Sequence, residues 1–291
     1  MKYDTIIIGH ITIDVNVFPW GLIENVLGGA PTYTGFALTT LKKKAGVVSK
    51  LGQDFPENFS PVFSKFGLDT EGILATSGQT TTFENTYDEK GGREQVCKVV
   101  SDSISPEDVP KSYQDTHSYY ISPVAGEISP DVIESVKNSD NIVMFDPQGI
   151  FRDIGEGGKV NVKMPDNLED YLKNVDIIKL GKGELKAFKE NEEEVLKTLT
   201  EMGPKTAILT LGEEGCMILA GDKLEKIKGL DVEVKDLTGA GDVFGAAFLS
   251  NYLDTEDPFK SARIGVIAAG LKLQYKGPTG FPTMEEVEKE L

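Results

Sequence analysis

Short apolar runs recur along this chain at Asp4 to Gly9, Ala45 to Ser49, Asn141 to Asp146, Asp176 to Leu180, Thr206 to Leu211 and Gly215 to Leu219. They are too short for buried helices and lack the polar alternation of a strand with one wet face, so they read as strands covered on both sides. Helical patterns lie at Pro31 to Lys43, Asp131 to Lys137, Glu192 to Glu201, Gly241 to Tyr252 and Pro258 to Leu273, with a charged helix at Thr283 to Leu291. Strands alternating with helices predict an α/β sandwich on a mainly parallel sheet.

One segment breaks that rhythm. Thr80 to Tyr87 alternates polar and apolar residues, meets Asp88-Glu-Lys-Gly-Gly92 and resumes as Arg93 to Val100, which reads as an antiparallel hairpin standing off the main sheet. It serves either as a cover for a site or as a structural flap. Phe151 to Asp170, rich in Gly, Asp, Asn and Lys, reads as a loop excursion. No linker, repeat or low-complexity tract divides the 291 residues, so a single domain is expected over 1–291.

Charge narrows the partners. With 47 acidic against 30 basic side chains, the formal net charge is -17, a field that repels nucleic acid and anionic membranes. No apolar run is long enough for a signal-peptide core or a membrane span. Cys97 and Cys216 are far apart in sequence with only His10 and His117 beside them, which argues against a disulfide framework or a zinc cluster and suits a reducing cytoplasm.

The chemistry concentrates in Asp236-Leu-Thr-Gly-Ala-Gly-Asp242, between a strand-like stretch at Leu230 to Val234 and an apolar helical run from Val243. Gly239 and Gly241, with small Ala240 between them, let backbone N–H groups converge at a helix N-terminus, where the dipole also favours an anion. Asp242 then projects from the first turn, placed to take a proton from an alcohol attacking phosphorus, a task for which a carboxylate of ordinary pKa suffices. Taken alone, Gly-Ala-Gly-Asp is equally good helix capping. It lacks the βαβ context of a dinucleotide fingerprint, and the chain has no Gly-x-x-x-x-Gly-Lys-Ser/Thr sequence of the P-loop kinases.

Asp236 to Asp242 and its following helix resemble the C-terminal signature of the PfkB, or ribokinase-like, carbohydrate kinases. Gly9-His-Ile-Thr-Ile-Asp14-Val-Asn16 followed by Gly28-Gly29 is similar to the family's opening, where the aspartate and the glycine pair grip substrate hydroxyls. Lys50-Leu-Gly-Gln-Asp54 resembles the family's Gly-x-Asp, and Thr210-Leu-Gly212-x-x-Gly215 its nucleotide-side turn, which with Thr238, Gly239 and Gly241 the resemblance implies as nucleotide-binding. Glu184 matches the glutamate of the Asn-x-x-Glu motif that organises magnesium. The resemblance implies a three-layer αβα sandwich with a small β-lid drawn from about 11–30 and 78–100. It also implies an ATP- and Mg²⁺-dependent kinase with Asp242 as base and the amides of Gly239, Ala240 and Gly241 as anion hole. Lids of such folds often pair between subunits, which suggests a homodimer.

Two positions depart from the family pattern: Gly181 stands where Asn-x-x-Glu has asparagine, and Tyr33 where ribokinases carry a sugar-binding asparagine. Glu184 therefore reads equally as a helix-start glutamate. Gly9 to Asn16, Thr81-Thr-Phe-Glu-Asn85 and Phe145-Asp-Pro-Gln148-Gly resemble the inositol kinase subgroup, which implies a small polyol such as myo-inositol held by Asp14, Asn16, Asn85 and Gln148. Asn85 and Gln148 also read as a lid-surface residue and a turn residue, and Asp146 as a strand-end cap. His10 reads as structural. Lys272 and Lys276 to Gly280 either border the adenine pocket or form a surface helix end and loop. Other acceptors, namely sugars or nucleosides, another phosphoryl donor, and a non-catalytic sugar sensor on the same fold, stay open.

Overall fold

The computed structural model describes residues 3–87 and 93–291; the Asp88 to Gly92 turn of the expected hairpin lies outside them. The chain opens with β1 (Tyr3–Ile8), β2 (Thr12–Phe18), β3 (Gly21–Gly28), α1 (Ala30–Thr40), β4 (Ala45–Leu51), α2 (Ser60–Phe66) and β5 (Asp69–Ala75). It continues through β6 (Thr82–Tyr87), β7 (Arg93–Val99), β8 (Thr116–Ile121), α3 (Pro130–Val136), β9 (Ile142–Phe145), β10 (Arg152–Ile154) and β11 (Val160–Val162). The remainder is α4 (Leu168–Leu172), β12 (Ile177–Gly181), α5 (Glu192–Glu201), β13 (Thr206–Thr210), β14 (Cys216–Ala220), β15 (Lys223–Ile227), α6 (Ala240–Thr255), α7 (Pro258–Lys272) and α8 (Met284–Glu288).

Among the described residues, nine strands form one sheet in the order β15, β14, β13, β12, β9, β8, β1, β4, β5. It is parallel from β13 to β5, with β14 and β15 antiparallel at one edge. Because side chains alternate across a strand, β1 sends Ile7 to one core and Ile6 and Ile8 to the other. Phe36 of α1, Phe248 of α6 and Ile264 of α7 pack on the first face. Ile133 of α3, Leu172 of α4 and Leu199 of α5 pack on the second, so the fold is a three-layer αβα sandwich. Gly245 lets α6 lie close to β8: a Cβ there would fall 2.0 Å from the Tyr120 hydroxyl.

A second sheet, in the order β3, β2, β6, β7, stands off the first. β2 pairs in parallel with β6, and antiparallel pairs β2/β3 and β6/β7 flank them. Its base is pinned by a small apolar cluster of Phe83 and Cys97 against Ala30 and Val124.

Two sequence expectations change, and one strand had no expectation at all. Leu230 to Val234 is not a strand: Leu230 packs on Gly270 of α7, and the Lys235 and Asp236 amides both donate to the Leu273 carbonyl, at 2.8 and 3.2 Å. The excursion from Phe151 to Asp170 contains the β10/β11 hairpin and the start of α4. Strand β8, beside β1 in the sheet, carries no continuous apolar run, because Thr116 and Ser118 are buried with their hydroxyls bonded to the Tyr3 carbonyl (3.2 Å) and to Thr5 (2.9 Å).

Candidate active site

The carboxyl ends of the parallel strands and the underside of the small sheet enclose a cleft, the usual place for a ligand in an open α/β sheet. Its floor is the start of α6. Gly239 holds φ 78°, and a Cβ on it would lie 2.0 Å from Tyr33 Cδ1, so both conformation and space call for glycine. The Ala240 amide donates to the Leu237 carbonyl at 3.4 Å. The amides of Gly239, Gly241 and Asp242 meet no acceptor among the described residues, as expected of a helix N-terminus able to receive an anion. Asp236 steadies this turn: one carboxylate oxygen accepts from the Thr238 amide at 2.9 Å and the other from the Gly277 amide at 2.7 Å.

Asp242 stands half-buried in the first turn of α6, on the wall of the cleft. Burial first, then the nearby Asp146 carboxylate, push its pKa up to about 7, with Lys179, Arg152 and Lys272 pulling the other way. A carboxylate of ordinary pKa would suffice for the step; loss of water and the Asp146 charge make this one more basic. Beside it, Asp146 and Lys179 are both buried and form an ion pair at 2.6 Å. Asp146 therefore does more than cap a turn. Lys272, fully buried, donates to the Tyr275 carbonyl at 3.0 Å, and burial lowers its pKa against the attraction of Asp236 and Asp242, so it is not a surface helix end.

Across the cleft, the Thr12 hydroxyl donates to Asp14 at 2.8 Å. Gly28 leaves room for both, since a Cβ there would fall 2.6 Å from Thr12 Oγ1 and 2.8 Å from Asp14 Oδ2. Further along the lid, Gln95 Nε2 donates to Asn85 at 2.8 Å, and Asn85 Nδ2 donates to Asn16 at 3.1 Å. Gln95 reaches the cleft, whereas Asn16 and Asn85 stand behind it. Arg152 enters from the hairpin, its Nη1 donating to the Val124 carbonyl at 2.7 Å and its guanidinium lying over Phe83.

Of the residues expected from sequence, Asp14, Gly29, Gln148, Thr238, Gly239, Gly241 and Asp242 line this cleft. Gly28 and Ala240 support it from behind. Thr210, Gly212, Gly215 and Glu184 lie at the carboxyl ends of β12 and β13. There Glu184 Oε2 accepts from the Gly181 amide at 2.8 Å, and its pKa is raised by burial and then by Asp146. Gly212 and Gly215 take φ of 66° and 94° in the turn after β13. Asp54 accepts from the Thr80 amide at 2.7 Å, tying its loop to the base of the lid. His10 is structural, its ring nitrogens occupied by Thr81 Oγ1 at 2.8 Å and the Asp102 carbonyl at 3.1 Å.

Sequence reading missed Lys179, Arg152, Gln95 and the place of Tyr33 against Gly239. A lysine inside the apolar run Ile177-Ile178-Lys179-Leu180 is the one signal that was available.

Residues 4–284 match the model of the pfkB family carbohydrate kinases. A cytidine kinase of Thermococcus kodakarensis is 26% identical over 90% of this chain and 93% of its own. An inositol 3-kinase of Arabidopsis thaliana is 25% identical over 97% of this chain and 76% of its own. Among solved structures, a sulfate complex of a pyrophosphate-dependent kinase in the ribokinase family superposes with a TM-score of 0.83 at 22% identity, covering 98% of this chain and 99% of that one.

Proposed function

The chain belongs to the pfkB family of carbohydrate kinases and is a sugar or nucleoside kinase, and from that premise we propose that it moves the terminal phosphoryl group of ATP to a hydroxyl of a small uncharged polyol or sugar, with myo-inositol first among the acceptors. The observation that carries the reading is Asp242, a half-buried carboxylate in the first turn of α6 beside amides with no acceptor among the described residues, sharing one cleft with Asp14.

The acceptor lies between lid and floor. Asp14 takes hydroxyl protons, while Gln95 and Gln148 offer both donors and acceptors, a mixture suited to a ring of hydroxyls. Phe83 and Val124 supply an apolar face. The hydroxyl to be phosphorylated points at Asp242, which takes its proton as the oxygen attacks phosphorus, and the amides of Gly239, Gly241 and Asp242 receive the charge of the phosphoryl group. A carboxylate raised to about 7 is half ionised near neutrality and holds the proton better than an ordinary one.

The nucleotide lies along the Thr210 to Gly215 turn and Thr238. Glu184 fits a magnesium ion, because the Gly181 amide engages only Oε2 and Mg²⁺ is commonly held by one or two carboxylates together with phosphates and waters. When bound, the ion would supply neutralisation of the donor phosphates.

A nucleoside acceptor is the second reading, favoured by the cytidine kinase relative and by the Tyr33 and Phe83 rings in the cleft. Both readings meet in one assay: ADP release from ATP, with and without Mg²⁺, against inositols, sugars and nucleosides, with pyrophosphate as an alternative donor. The highest kcat/KM is expected for an inositol. Stimulation by cytidine alone would replace the polyol with a nucleoside, and stimulation by no acceptor would remove the reading.

A further inference from the structure

Lys179 sits in β12 with its side chain 4% exposed, and its ammonium, 2.6 Å from Asp146 Oδ2, has that carboxylate as its single ion-pair or hydrogen-bond partner among the described residues. An ammonium carries three donors, and leaving two of them unmatched in a buried place is costly unless something else meets them. The nitrogen lies only 3.5 Å from where a Cβ of Gly241 would stand, so it borders the first turn of α6 and lines the cleft with Gly239, Gly241 and Asp242. Burial would lower its pKa, but the Asp146 carboxylate, with Asp242 and Glu184, raises it, so the group stays charged.

We propose that Lys179 is a catalytic residue of this site, its ammonium binding the phosphoryl oxygens during transfer alongside the amides at the start of α6. The inference rests on the kinase reading above. In the step, the acceptor oxygen bonds to the terminal phosphorus, the bond from that phosphorus to the bridging oxygen breaks, and the electron pair leaves on ADP. The hydroxyl proton passes to Asp242. Lys179 keeps its three protons and forms no covalent bond. The charge spread over the equatorial oxygens is what a fixed cation at this spot stabilises.

The competing role is that of a counter-ion holding Asp146 in the fold. Lys179→Gln keeps a donor for Asp146 and removes the charge, while the double variant Lys179→Met/Asp146→Leu removes the buried pair altogether. Both are expected to keep a cooperative thermal transition yet lose about a hundredfold or more in kcat, with the acceptor KM within about threefold of wild type. The proposal is overturned if either folded variant turns over within about fivefold of wild type, or if neither variant folds, which would assign Lys179 to structure. Slow transfer to water, read as acceptor-independent ADP release, reports on Lys179 even if every acceptor fails. That keeps failure of the acceptor reading apart from failure of this one; absence of any ADP release from the wild type would sink both.

Discussion

At the floor of the cleft the groups that face the ligand are charged: half-buried Asp242 in the first turn of α6, and buried Asp146 paired with Lys179 at 2.6 Å. On the lid the cleft-facing groups are Thr12, Asp14, Phe83 and Gln95, with the amides of Asn85 and Asn16 in series behind Gln95, on a sheet whose outer strand β3 leaves Leu22 and Ile23 exposed. The difference separates two tasks. Buried charge is held by the packing of α6 on β8 and is expensive to disturb, which suits chemistry that demands fixed electrostatics. A half-buried amide such as Gln95 can be exchanged at small cost, which suits recognition that differs from one acceptor to the next.

The sharpest way to break this division is Asp242→Asn, which should cut kcat by about a thousandfold while leaving nucleotide binding intact. If calorimetry showed unchanged nucleotide affinity and kinetics showed most of the activity retained, the base would have to be sought on the lid.

Acidity tests the same carboxylate without mutation. Since Asp242 must be ionised to act and its pKa is pushed up to about 7, kcat should fall about tenfold per pH unit below that value, with Lys and Asp partners shaping the curve. Stability runs the other way. A carboxylate whose folded pKa is raised binds more protons folded than unfolded, so its cost to folding grows as pH rises from the ordinary aspartate value of 3.8 to about 7 and is constant above. Asp242→Asn should therefore raise Tm at pH 8 and change it little at pH 4; equal shifts at both would show that the carboxylate is not desolvated.

Glycine replacements grade the floor against an open turn. Gly239→Ala meets the Tyr33 ring as well as an unfavourable φ, and should lose about 2–4 kcal/mol in denaturant titration together with activity. Gly212→Ala has the φ of 66° but nothing within 4 Å of the new Cβ, and should lose about 1–2 kcal/mol. Equal losses would mean that the Tyr33 contact contributes nothing.

The smallest effect belongs to the lid. Gln95→Ala should raise the acceptor KM by about three- to tenfold with kcat within about twofold, because it removes a hydrogen bond shared by the bound acceptor in ground and transition states alike. A fall in kcat with KM unchanged would move Gln95 into the chemistry and erase the contrast between the two regions.

Much of the sheet was legible because its strands are buried on both faces and therefore read as apolar runs, β1, β4, β9, β12 and β13 among them. β8 was not, since its polar half is satisfied by hydroxyl bonds to β1 that no local pattern reveals. Leu230 to Val234 alternates like a strand yet lies along α7, because alternation reports which side is apolar and not which element covers it. Of the residues that line the cleft, Gly239, Gly241 and Asp242 were singled out through short-range spacing and Asp14 through the family resemblance. Arg152 was hidden in a segment that read as loop, and Asn16 and Asn85 proved to stand behind Gln95 instead of in the cleft.

What the order of residues decides here is local: a glycine able to hold φ 78°, a helix that starts after it, and a carboxylate in that helix's first turn. Those features depend on neighbours along the chain. The state of that carboxylate depends on neighbours in space. Loss of water around the start of α6, the repulsion of Asp146 from the end of β9 and the opposing ammonium of Lys179 from β12 converge only when the parallel strands lie side by side. Electrostatic energy varies with distance and with the exclusion of water, and both are set by packing between segments far apart in sequence.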